Sequence, residues 1–61
     1  MKKTLYRIET EIISLCISNV ELFENYDLAI ARYDELLTAI EENNLATNVE
    51  VTLSTIERDV L

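Results

Sequence analysis

Sixty-one residues, with twelve acidic against five basic side chains and a net charge of −7, fit one small domain, which buries only about 60% of the surface its unfolded chain exposes. A single cysteine, Cys16, and no histidine exclude an intramolecular disulfide and a zinc site, so reinforcement has to come from self-association or a partner. Such an acidic body repels nucleic acid and anionic membrane and attracts basic protein surfaces, while 49% hydrophobic content separates it from disordered acidic chains.

From the N-terminus, Lys2 and Lys3 lead into no apolar stretch of signal-peptide kind. Runs such as "EIISLCI" fall far short of the roughly 20 residues that cross a bilayer. A cytoplasmic location without membrane association is the expectation. Tyr6, Ile8, Thr10 and Ile12 alternate with Arg7, Glu9 and Glu11, the period of a strand. The phase changes at Ile12 and Ile13, after which Ile13, Leu15 and Ile17 point one way and Ser14, Cys16 and Ser18 the other. A bulge or turn belongs there. Ser18 and Asn19 give the better turn signal, which predicts a long first strand from Thr4 to about Ile17 and a second from Val20 to Phe23. Cys16, in "SLCIS", reads as a small core side chain in a reducing compartment, with no positive charge near to activate it.

Asn25 is a suitable N-cap, and Asp27 then lies favourably in the first turn of a helix. Tyr26, Ile30, Tyr33, Leu37 and Ile40 recur at spacings of four and three, with Ala29 and Leu36 widening the stripe, so a helix is expected over about Tyr26 to Asn43. With no glycine in the chain, Asn43 or Asn44 has to take the left-handed stop. Tyr26 and Tyr33 read as an aromatic pair at the rim of the core. The opposite face carries Asp27, Asp34, Glu35, Thr38, Glu41 and Glu42. It is a continuous acidic face, and it ends where carboxylates are least welcome, since each one beside the partly negative carbonyls of a helix C-terminus costs about 0.3 to 1 kcal/mol. Either the face is hydrated and serves solubility, or the lysines and arginines of a partner dock on it. Asp27, Asp34 and Glu41 recur every about 10.5 Å along the axis, whereas phosphates on one DNA strand advance about 3.4 Å. The stripe is too sparse to be a faithful phosphate ladder, although Glu35 and Glu42 thicken it, and charge alone does not imply mimicry of DNA.

Beyond the helix, Val49, Val51, Leu53 and Thr55 alternate with Glu50, Thr52 and Ser54, which predicts a third strand from Asn48 to Arg58. Helices are the competing template: Leu5, Ile8, Ile12, Leu15 and Leu22 form one heptad stripe, and Val49, Leu53, Ile56 and Val60 another behind a capping box at Thr47 and Glu50. Six of the ten residues from Thr47 to Ile56 are β-branched, which decides for strands. The expected fold is α+β, a single domain over residues 1–61 of order ββαβ: a three-stranded antiparallel sheet, first strand in the middle, with one helix packed on one face. An all-α helical bundle is the alternative. The middle strand offers apolar side chains to both faces, so Leu5, Ile13, Leu15 and Ile17 form the candidate self-association surface. A homodimer would cover them, or the patch serves another protein.

No catalytic, cofactor-binding or metal-ligating residues are expected. The chain lacks the histidine and glycine from which bases, metal sites and phosphate loops are commonly built. Neighbouring carboxylates such as Asp34 with Glu35, or Glu41 with Glu42, diverge by about 100° on a helix and do not converge on a substrate.

The segment "LFENYDLAIARYDELLTAIEENN" followed by "VEVTLSTIERD" resembles the layout of small acidic proteins from phages and prophages of Gram-positive bacteria. In these, strands precede a helix of the form A-x-x-x-Y-D-E-L and a V-T-L strand. Proteins of that kind include anti-CRISPR and other anti-defence inhibitors that bind a host complex stoichiometrically. The resemblance implies core positions for Ala29, Tyr33 and Leu36 and assigns no functional residue. The expected function is that of a non-enzymatic protein-binding module, in its sharpest form an inhibitor of a basic nucleic-acid-handling complex such as a host nuclease. Asp27, Asp34, Glu35, Glu41 and Glu42 would form its partner-binding face. The alternative is a structural or regulatory phage protein whose acidity serves solubility.

Overall fold

The computed structural model describes residues 1–59. In chain order it contains β1 (Lys2–Ile12), a short 3-10 turn (Ile13–Leu15), β2 (Ile17–Phe23), α1 (Tyr26–Glu42) and β3 (Val49–Asp59). The three strands form one sheet in the order β2-β1-β3, antiparallel on both sides of β1. This is the expected α+β fold and not a helical bundle. Val60, placed in the helical alternative, lies outside the described residues.

Directly paired residues in an antiparallel ladder share a face. Ile8 pairs with Glu21 and Leu53, and Tyr6 with Phe23 and Thr55. Tyr6 meets Tyr26 of α1 edge to face at a centroid distance of 5.3 Å, and Glu21 accepts from Arg32 of α1. Even-numbered residues of β1 therefore face the helix. Ile8 and Ala29, one from each layer, are the only fully buried apolar residues among those described. Alanine allows close approach where a longer side chain would push the layers apart. Tyr33, Leu36 and Ile40 continue this stripe half-buried, while Leu37 and Tyr26 lie at its exposed margins. Tyr26 pairs with Tyr6 and not, as the helical spacing suggests, with Tyr33.

The strand break falls at the change of phase and not at Ser18 and Asn19. Ile12 pairs with Ile17, leaving residues 13–16 as the connection. Cys16 takes the left-handed conformation at φ 53° and is exposed, which corrects its expected place in the core. Asn48 holds this turn across the sheet: its carbonyl accepts from the Ile13 amide at 2.8 Å, and its side-chain oxygen accepts from the Ser14 amide at 2.9 Å. Ser18 and Asn19 lie within β2, opposite Glu11 and Thr10.

The helix starts and stops as its sequence dictates. The Asn25 side chain accepts from the Leu28 amide at 3.2 Å, satisfying one of the free donors of the first turn. At the other end Asn44 adopts φ 54°. The Leu45 amide donates to Ile40 and the Asn44 amide to Glu41, the paired bonds of a Schellman stop, with asparagine where glycine is usual. The Asn43 side chain adds a bond to the Ala39 carbonyl at 2.7 Å. No described helix is long and apolar enough to cross a membrane.

Candidate functional site

On α1, the acidic residues project away from the sheet. Asp27, Asp34, Glu41 and Glu42 are exposed, and none of them has a cationic partner among the described residues. Glu35, expected to belong with them, is different. Arg32 bonds it one turn back along the helix, and the same guanidinium reaches Glu21 of β2 at 3.2 Å. The hydrogen bond and charge of Glu21 hold the Arg32 pKa above its ordinary value against the opposing effect of burial, and Glu35 adds the smallest contributions in the same direction as Glu21. Arg32 thus ties helix to sheet and removes Glu35 from the free acidic face.

The α1 C-terminus carries Glu41 and Glu42 with no basic residue in the last turn. The Schellman bonds occupy carbonyls there, which softens the local negative potential without supplying a counter-charge. Successive members of the Asp27, Asp34, Glu41 row stand about 10.5 Å apart. That is too far for two to share one proton or one metal ion. Among the described residues no group of three acidic, cysteine or histidine side chains could hold a metal, and no cavity is present. What this face can do is display charge.

The residues expected to drive self-association do not form one surface. Leu5 lies on the sheet face away from the helix, beside Ile56. Ile13 and Leu15 sit exposed in the turn. Ile17, opposite Ile12, belongs to the helix side, because the turn re-sets the phase. The middle of the uncovered face carries instead Leu5, Arg7 and Glu9 on β1, Val20 and Leu22 on β2, and Thr52, Ser54 and Ile56 on β3, with Lys3 and Arg58 at one end and Glu11 and Glu50 at the other. Arg7 and Glu9 form an ion pair at 3.0 Å in the middle of it. The odd-numbered alternation of β1 signals this face; its neighbours on β2 and β3 depend on registers that no local pattern fixes. Neither a family model, nor a curated protein, nor a solved structure matches the chain.

Proposed function

We propose that the protein is a non-enzymatic binding module that presents Asp27, Asp34, Glu41 and Glu42 of α1 to a basic protein surface. The observation that carries this reading is the helix C-terminus. Glu41 and Glu42 are exposed, lack cationic partners among the described residues and stand in a last turn with no basic residue. Each costs about 0.3 to 1 kcal/mol of helix stability there, whereas acids placed elsewhere confer solubility without that cost. In its sharpest form the partner is a nucleic-acid-handling complex, whose lysines and arginines would be occupied by the helix.

The test is a quantitative pulldown from bacterial lysate with the wild-type chain and the E41Q/E42Q variant, followed by titration of the captured protein at two salt concentrations. A basic partner that binds the variant about two- to thirtyfold more weakly is expected, since exposed charge pairs contribute roughly 0.2 to 1 kcal/mol each. Wild-type affinity should fall with salt, and the variant should melt at slightly higher temperature. Unchanged affinity in E41Q/E42Q, D27N and D34N alike would leave the acidic face as a solubility device of a structural or regulatory protein.

A further inference from the structure

We infer that the open face of the sheet is a self-complementary interface, closed by a second copy of the chain turned end for end. The β1–β3 register sets Lys3 opposite Arg58 at one end of this face and Glu11 opposite Glu50 at the other. Like charges directly opposite one another in a ladder are destabilising. Here two such pairs, of opposite sign, stand eight residues apart along the same strand. Glu24 bonds Lys3 at 2.6 Å and offsets one of the two cations, while Glu11 and Glu50 have no partner among the described residues.

Two sheets stacked face to face can be related by a two-fold axis along the strands or across them. The first sets like end on like end. The second places Lys3 and Arg58 of one copy over Glu11 and Glu50 of its partner, each on the matching strand, so the charge pattern selects it. Arg7 is midway between Lys3 and Glu11, in one row with Leu22 and Ser54. The axis passes near this row and brings the exposed Leu22 beside its own counterpart, as an isologous interface requires; Arg7 also comes near its own counterpart, and its ion pair with Glu9 at 3.0 Å supplies the counter-charge.

The dimensions agree. A radius of gyration of 13.2 Å exceeds the about 10.5 Å of a compact chain of this length. The accessible surface of 4688 Å² exceeds the about 4,100 Å² of a compact monomer of this mass. The 43 × 24 Å extent of the molecule offers a face large enough for the roughly 800 Å² per partner that a standard interface buries. The acidic face of α1 stays outside this interface, so the inference stands independently of the proposed binding function.

The experiment combines sedimentation analysis with charge reversal. The wild-type chain should sediment as a dimer at micromolar concentration. E11K/E50K, basic at both ends, and K3E/R58E, acidic at both ends, should each raise the dimer dissociation constant at least tenfold, and an equimolar mixture should recover a heterodimer. Should either variant fold poorly alone, recovery in the mixture, read by circular dichroism and sedimentation together, still decides. A spin label on the native, exposed Cys16 supplies the geometry. In the end-for-end dimer the labels lie at opposite ends, more than about 30 Å apart at about 3.3 Å per residue; in the like-end arrangement they are neighbours. A monomeric wild type, variants that associate as the wild type does, a mixture without heterodimer, or a short label distance would each overturn the inference.

Discussion

Replacing Ile8 with alanine should remove much of the stability of this fold. Among the described residues Ile8 is the one large side chain with no exposure, on the central strand between Glu21 and Leu53. The substitution deletes three carbons, about 2.4 kcal/mol of transfer free energy at about 0.8 kcal/mol per buried methylene, and the residual cavity adds to this. Ala29 in the layer above, also fully buried, has no side chain that could swing into the gap, so a loss of about 3 to 4 kcal/mol is expected, within the roughly 2 to 5 kcal/mol seen for such truncations. A chain of this length holds only about 3 to 9 kcal/mol in total. Urea denaturation followed by circular dichroism at a fixed protein concentration should show the midpoint falling by about 3 M, for a slope near 1 kcal/mol per molar, or no folded baseline at all. I8V should cost only about 0.5 to 1.5 kcal/mol. A shift below about 1 M for I8A would refute the placement of Ile8 beneath α1, and with it the pairing of the three strands.

Asn25→Ala removes the side-chain acceptor of the Leu28 amide and should cost about 1 kcal/mol, read as a lower urea midpoint with an unchanged slope. Asn48→Ala removes the Ser14 bond but leaves the carbonyl bond to Ile13. Ser14 is exposed and water can replace the lost acceptor, so a cost of about 0.5 kcal/mol is expected. Amide exchange at Ser14 should rise far more than at Ile13.

The helix and the third strand were legible because their signals are local. The four-and-three spacing from Tyr26 to Ile40, the asparagine at each end and the β-branched run from Val49 each act within a few residues. The first connection was not, although the change of phase at Ile12 and Ile13 marked its position. A turn without glycine looks like continued strand, and cysteine is an unusual occupant of the left-handed conformation that Cys16 adopts. Asn48, which holds the turn in place, lies 34 residues from Ser14. The partial loss of the acidic face was half legible: Arg32 and Glu35 stand at helical spacing for an ion pair, whereas the reach of Arg32 to Glu21 exists only once β2 lies under α1.

The charge pattern of the open face was beyond any sequence window, because it is a property of register. Sliding β3 by two residues would put Thr52 opposite Glu11 and Arg58 opposite Leu5, and both repulsive pairs would vanish. The same slide would set Thr55 in place of Leu53 beside Ile8, and would part Leu5 from Ile56. Parting either aliphatic pair costs on the order of 1 kcal/mol or more in re-exposed apolar surface, against a few tenths for an exposed like-charge pair. Apolar packing therefore fixes the register, and the register in turn fixes a dipolar face. A monomer would carry the Glu11–Glu50 repulsion uncompensated and the Lys3–Arg58 repulsion eased only by Glu24. An end-for-end pair would turn the same four residues into attractions, so that the packing that fixes the fold would also fix the orientation of a second copy.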